Sequence, residues 1–194
     1  MTVQDNGVRR SLHDVDGAVV PVTLSGSMTG RTIILLEDAA HKAATRGALQ
    51  ERLQIAMFRV VSVPLQDGLS AKSIVGFLDE LQIASGVVVG DGVGGDLAWD
   101  LAAGHHGRFN GLVAINCGHP AVPNTNGVIR DESCPAVEVD TTILAGGRSA
   151  LAVARASRRH VRADFRLVDV AGPRNSQHFT IQLATEIVMR ALSH

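Results

Sequence analysis

Along the chain, short runs of apolar residues alternate with longer segments in which apolar residues recur every three or four positions. Runs such as RTIILLED and MFRVVSV are rich in apolar and β-branched residues, which is typical of strands buried on both faces of a parallel sheet. The segment SAKSIVGFLDELQ begins at Ser70, a residue type suited to capping a helix. Its apolar residues form one helical stripe: Ile74, Phe77, Leu78 and Leu81. The pattern predicts strands that alternate with helices.

The beginning of the chain has a different pattern. RRSLHDVDGAVVPVTLSG predicts two strands around a tight turn at Asp16 and Gly17, because Asp-Gly is a strong hairpin signal. After this hairpin the predicted order is βαβαβαβ, an aperiodic stretch of about two dozen residues, and then βαβα. We therefore predict one α/β domain over residues 1–194, with an N-terminal antiparallel hairpin, a mostly parallel sheet and helices on both faces.

A glycine-rich turn follows the central strand, in the segment VVVGDGVGGDLAWDL. Gly90, Gly92 and Gly95 fit the G-x-G-x-x-G spacing of a dinucleotide-binding turn, which holds a pyrophosphate on backbone N–H groups. That fingerprint also requires a carboxylate after the next strand, but here the strand ends in Asn116 and Cys117. The dinucleotide site therefore stays as the weaker interpretation, and we expect no cofactor.

The second interpretation of this turn is a nucleophile elbow. Residues 90–94 read G-D-G-V-G and keep both outer glycines of the motif G-x-S-x-G, while the central residue is Gly92. In that motif a tight strand-to-helix turn lifts a side chain above the carboxyl edge of the sheet. A glycine at the centre has no side chain to present.

Several segments together resemble the α/β-hydrolase family, from about Arg9 to the C-terminus. The hairpin resembles the family's opening strands, TIILLEDAA stands where a strand ends in His-Gly, and FRVVSVPLQDGLS stands where a strand precedes a G-x-G-x-S loop. AGGRSAL occupies the place of the strand that carries the catalytic acid, and VAGPRNSQHFT the place of the histidine loop. The resemblance implies an α/β-hydrolase-type sheet without a lid domain, since the aperiodic stretch is too short for a lid of several helices.

The resemblance also assigns the catalytic positions. It places Gly92 at the nucleophile, Ser149 at the acid and His178 at the base, so only the histidine is retained. Acyl transfer needs a hydroxyl that attacks, an imidazole that takes its proton and an acid that stabilises the imidazolium. The sequence therefore predicts a degenerate triad and a protein that binds a small molecule or regulates a partner without hydrolysis.

The predicted ligand site lies at the carboxyl edge of the sheet, around Gly92. The family would place its oxyanion-hole donors at the N–H groups of Val93 and Ala39, where nearby carboxylates oppose a developing negative charge. We expect a small ligand to contact the residues at this edge: Glu37, Asp38, Ala39, Asp91, Val93, Asn116 and Cys117. An active enzyme remains the alternative, with His178 acting as an acid or base and Cys117 as a substitute nucleophile.

A metal site is a further alternative. Glu37, Asp38 and Asp91 could join His178 around a divalent cation, but their spacing matches no metal signature, so we predict no metal. The open, lidless site on a small chain is also compatible with a homodimer.

Composition limits the partners. The chain has 194 residues, 45% of them apolar, and a formal net charge of −1. It therefore lacks the broad positive field that would attract nucleic acid or an anionic membrane. The first residues, MTVQDNGVRRSL, contain no apolar stretch of the kind found in signal peptides, which predicts a cytoplasmic protein. The two cysteines, Cys117 and Cys134, are then expected to be free thiols.

Overall fold

The computed structural model describes residues 7–38, 43–105 and 107–193. The strands in these ranges are β1 (Val8–His13), β2 (Val19–Gly26), β3 (Thr32–Glu37), β4 (Arg59–Pro64), β5 (Gly86–Asp91), β6 (Phe109–Ile115), β7 (Thr141–Ala145) and β8 (Phe165–Asp169). The helices are α1 (Ala43–Ile55), α2 (Ala71–Glu80), α3 (Val93–Gly104), α4 (Arg148–Ser157) and α5 (Gln177–Leu192). A short 3₁₀ turn, Arg158–His160, continues α4.

All eight of these strands form one sheet in the order β1-β2-β4-β3-β5-β6-β7-β8. The β1–β2 and β2–β4 pairs are antiparallel, and every other pair is parallel. This confirms the predicted mixed sheet with an N-terminal hairpin. In the hairpin turn, Oδ1 of Asp14 accepts hydrogen bonds from the N–H groups of Asp16 and Ala18, so Asp14 organises the turn that was predicted at Asp16 and Gly17.

The sheet separates two apolar layers. On one face α2, α3 and α4 cover a core that contains Phe77 and Trp99, and on the other face α1 and α5 cover a core that contains Leu53. Alternate residues of one strand point to opposite layers: Ile34 packs in the first core and Ile33 in the second. The predicted stripe of α5 is buried in the second core: Phe179, Leu183, Ile187 and Ala191.

Charged residues of α5 fix this helix to the sheet. The guanidinium of Arg190 is 4% exposed; it donates to the hydroxyl of Thr142 and forms ion pairs with Asp140 and Asp164. One turn earlier, Glu186 accepts two hydrogen bonds from Arg166 of β8, at 2.7 and 3.0 Å. The orientation of α5, and therefore of its N-terminal end at the carboxyl edge, is set by these contacts and by the apolar stripe.

Between β6 and β7, residues 116–140 form a segment without a helix, which we call the strap. Arg130 of the strap forms ion pairs with Asp96 and Asp100 of α3, each at 3.3 Å. The ring of His119 is buried; its Nε2 lies 2.9 Å from the carbonyl oxygen of Pro135, and it stacks on His160 with 4.3 Å between ring centroids. The strap therefore lies against α3 and α4, beside the glycine-rich turn.

None of the helices in the described ranges is long and apolar enough to cross a membrane.

Candidate functional site

The turn between β5 and α3 has the backbone of a sharp strand-to-helix bend. β5 ends at Asp91, α3 begins at Val93, and Gly92 between them has φ 54° and ψ −120°. Residues with a Cβ rarely adopt this conformation, which costs them about 1–3 kcal/mol. The carbonyl oxygen of Gly92 accepts a hydrogen bond from the N–H of Asp96, so the helix begins directly at the bend.

The glycines around Gly92 are packed too closely for a side chain. A Cβ on Gly90 would lie 2.1 Å from the carbonyl oxygen of Gly94, and one on Gly94 would lie 2.7 Å from that of Leu36. A Cβ on Gly95 would lie 2.1 Å from Sγ of Cys117. In contrast, a Cβ on Gly92 would meet no atom within 4 Å. Position 92 therefore points into open space, while its neighbours hold α3 tightly against the sheet.

Asp91 immediately precedes the bend and is buried. Nη1 of Arg174 donates to both of its carboxylate oxygens, at 2.7 and 2.9 Å. Arg174 lies in the loop between β8 and α5, so this ion pair joins the turn to the loop that leads to His178. No sequence pattern points to Arg174, because the two partners are 83 positions apart and nothing local connects them.

Glu37 ends β3, the neighbouring strand. Its carboxylate accepts a hydrogen bond from Nε2 of Gln50 and lies 3.5 Å from Nε of Arg46. Asp38 follows and is partly exposed. Ala39, the predicted second oxyanion-hole donor, lies outside the described residues.

Asn116 and Cys117 follow β6. Asn116 adopts a positive φ of 53°, and its Oδ1 accepts a hydrogen bond of 2.7 Å from the N–H of Gly146, which ties the end of β6 to the loop after β7. Cys117 is buried against Gly95. Burial raises the pKa of the Cys117 thiol well above its ordinary range, and the nearby carboxylates of Asp96 and Asp91 add to the shift.

The structure places the two remaining predicted catalytic positions on helix N-termini. Ser149 lies in the first turn of α4 and His178 in the first turn of α5, and both are exposed. In the part of the chain that the structure describes, neither the hydroxyl of Ser149 nor the imidazole of His178 has a hydrogen-bond partner. Among the described residues, no carboxylate is therefore hydrogen-bonded to His178.

Two cavities lie side by side at the carboxyl ends of β5 to β8. The larger, about 600 Å³, is lined by residues that include Asn116, Thr125, Arg148, Ser149 and Arg174. The smaller, about 230 Å³, lies between Gly92 and the strap and also includes Val93, Asn116, Cys117 and Thr125. Because they share Asn116 and Thr125, we treat them as one feature and call it the edge groove.

The predicted ligand residues fall into two groups. Val93, Asn116 and Cys117 line the edge groove, whereas Glu37 and Asp91 line an apolar hollow of about 80 Å³ against α1 and α5. This hollow adjoins the larger cavity of the groove at Ile115, Arg174 and Phe179. The alternation of side chains along a strand explains this division, since Asp91 shares a face of β5 with Val87 and Val89, which belong to the core under α5. The two-residue alternation of side chains along β5 would have been enough to predict this division from the sequence.

The alternative metal site would use Glu37, Asp38, Asp91 and His178. The carboxylates of Glu37 and Asp91 each face an arginine. Among the described residues, no group of three or more His, Cys, Asp and Glu side chains is arranged to hold a metal ion.

Solved structures of known enzymes are similar to this fold. Epoxide hydrolase A from Mycobacterium thermoresistibile gives a TM-score of 0.71 at 10% identity, over 93% of this chain and 98% of that one. Epoxide hydrolase VrEH1 from Vigna radiata gives 0.73 at 10% identity, over 97% and 98%. The esterase EaEST from Exiguobacterium antarcticum gives 0.73 at 14% identity, over 93% and 99%. No protein-family model and no curated protein matches the sequence.

At these identities the similarity concerns the fold alone. The mixed sheet with its hairpin, the sharp turn at Gly92 and the similarity to these hydrolases lead to one conclusion. The chain has the α/β-hydrolase fold.

Proposed function

We propose that this protein binds a small molecule in the edge groove and does not carry out serine-dependent acyl transfer. The observation that carries the proposal is the apex of the turn. Gly92 has the strained backbone conformation, with φ 54° and ψ −120°, and the direction of its absent Cβ is open. The place from which a nucleophile would act is therefore accessible but holds no nucleophilic atom.

The other catalytic positions support the same proposal. A serine hydroxyl at position 149 carries no charge with which to stabilise an imidazolium, and in the described residues the imidazole of His178 has no hydrogen-bond partner. The edge groove is present, and the combined volume of its two cavities suits a small organic ligand. Ligand binding thus needs no residue that is absent. Serine-dependent hydrolysis would need two: a serine at position 92 and an acid at position 149.

The alternative enzyme with Cys117 as its nucleophile is less favoured. A thiol attacks as the thiolate, and the raised pKa of Cys117 keeps this group protonated at neutral pH. Its Sγ also lies against Gly95, so the sulfur is crowded on that side. The known neighbours are named as epoxide hydrolases and an esterase, but their chemistry depends on residues that need not occur in this chain.

Turnover of p-nitrophenyl acetate by the wild-type protein and by the His178→Ala variant tests this proposal. We expect both proteins to give the same rate as buffer. A thiol-directed probe added to the folded protein should leave Cys117 unmodified. A rate that falls when His178 is replaced, or rapid modification of Cys117 together with ester turnover, would show that the protein is a hydrolase.

A further inference from the structure

The larger cavity of the edge groove is cationic. Arg148, the first residue of α4, and Arg174, in the loop before α5, both line it. The other polar side chains among its described lining residues are neutral: Asn116, Thr125 and Ser149. No carboxylate occurs among the described residues that line this cavity. Its charged groups are therefore all of one sign.

Arg174 retains hydrogen-bonding capacity toward this cavity. Its contact with Asp91 uses Nη1 alone, so Nε and Nη2 have no partner among the described residues. The side chain is 52% exposed, whereas the carboxylate of Asp91 is buried and lines the adjoining apolar hollow rather than this cavity. Asp91 thus holds Arg174 in place without closing the cavity to an anion.

Arg148 is a second cation without an ion-pair partner in the described ranges. It is exposed at the start of α4, and Gly147 before it provides no side-chain cap. The free N–H groups of the first helical turn lie beside the same cavity and add to the positive potential of the two arginines. Arginine has a planar set of donors that matches two oxygens of a carboxylate or a phosphate.

We infer that the ligand of the edge groove is a small organic anion, whose carboxylate or phosphate group binds between Arg148 and Arg174. This inference rests on the proposed function, because it assumes that the groove is a ligand site. It adds the chemical class of the ligand and the two residues that recognise it. The cavity volume fits a molecule of about metabolite size, and its uncharged polar lining provides hydrogen bonds for the rest of the molecule.

The test compares ligands of one shape and different charge. Benzoate, phenyl phosphate and neutral benzamide are titrated into the wild-type protein, with binding followed by calorimetry and by chemical shifts in NMR spectra. We expect at least one of the two anions to bind and benzamide to bind at least about tenfold more weakly. Benzoate alone would identify a carboxylate site, and phenyl phosphate alone a phosphate site.

The arginines are tested by substitution. Arg148→Gln should weaken binding of the preferred anion about tenfold or more and leave the melting temperature unchanged, because this side chain is exposed. Arg174→Gln should weaken it similarly. Arg155→Gln, at the other end of α4 and also exposed, is the matched control and should keep wild-type affinity. Arg148→Gln keeps the Asp91 contact intact, so its result does not depend on the stability of Arg174→Gln.

Two results would overturn the inference: no anion binds with a dissociation constant below about 10 mM, or Arg148→Gln binds the anion as tightly as Arg155→Gln does. The ester assay with His178→Ala is run on the same samples. Ester turnover that depends on His178 would contradict the proposed absence of hydrolysis and would leave the anion site in place. Absence of both turnover and anion binding would remove the anion site alone.

Discussion

The turn between β5 and α3 contains two groups of glycine positions, and each group requires glycine for a different reason. At Gly90, Gly94 and Gly95 a Cβ would collide with backbone or with Cys117, whereas at Gly92 a Cβ has space and only the backbone conformation opposes it. The first group is required for packing α3 on the sheet. Gly92 is relevant to chemistry, because it stands where a side chain would project into the groove. The sharp bend therefore forms here although the residue at its apex has no nucleophilic group.

The strongest test of this comparison is a single methyl group at each kind of position. Gly90→Ala places a Cβ 2.1 Å from a backbone oxygen, which cannot move without shifting α3. We expect a loss of at least about 3 kcal/mol in the free energy of unfolding, or a melting temperature lowered by about 6–12 °C. Gly92→Ala should lose less. Equal losses in the two variants, measured by urea and thermal unfolding, would contradict the distinction.

A hydroxyl at the apex tests the chemistry. Gly92→Ser should cost about 1–3 kcal/mol because of its positive φ, and lower the melting temperature by about 2–12 °C. It should create no appreciable ester turnover, because Ser149 still leaves His178 without an acid. Gly76→Ser, at an exposed helical position with open space and ordinary φ, controls for the change of residue and should not destabilise. Brisk ester hydrolysis by Gly92→Ser would show that the acid has been assigned to the wrong residue.

The ion pair beside the turn is expected to have a smaller effect. Arg174→Gln removes one partner of the buried carboxylate of Asp91, and we expect about 1–2 kcal/mol of destabilisation, less than for a fully buried pair because the arginine is half exposed. A double-mutant cycle with Asp91→Asn measures the coupling between the two residues. A coupling free energy near zero would show that the contact does not hold the loop to the turn.

On the other side of the turn, the strap should give a pH dependence. Burial lowers the pKa of His119, and its Nδ1 accepts a hydrogen bond from the N–H of Ala121, so the folded protein favours the neutral ring. The unfolded chain then binds the proton more readily, and stability falls as the pH decreases below about 6.5. We expect the free energy of unfolding, measured with urea, to be lower at pH 5.5 than at pH 7.

His119→Gln should remove most of that pH dependence, while His13→Gln, on the exposed hairpin, should retain it. Identical pH profiles for the two variants would mean that His119 is not the titrating group. Burial also lowers the pKa of His160, so this residue should account for part of the pH dependence of stability that remains in the His119→Gln variant.

Much of the fold could be predicted because its signals are local. The short apolar runs predicted the strands, and the stripe from Phe179 to Ala191 predicted the buried face of α5. The motif at residues 90–94 predicted the sharp turn. Each depends on residues within one element. The preferred hand of connection between parallel strands narrows the possible topologies, but it does not place β4 between β2 and β3.

The site was less predictable because its contacts join distant segments. Nothing local links Asp91 to Arg174 or Asn116 to Gly146, and the burial of His119 depends on how the strap packs against α3 and α4. Their positions in the sequence therefore place Glu37 and Asp91 with Asn116 at one edge, although they line different cavities. Proximity to the carboxyl edge predicted where residues lie along the strands but not which face they occupy.

The most direct test of the central claim is intact-mass spectrometry of the wild-type protein after incubation with a fluorophosphonate, which reacts with activated serines. If the apex of the turn carries no nucleophile, the mass of the protein stays unchanged. A stoichiometric adduct on a serine, lost in the His178→Ala variant, would contradict the account and show that a working hydrolase centre exists in this fold.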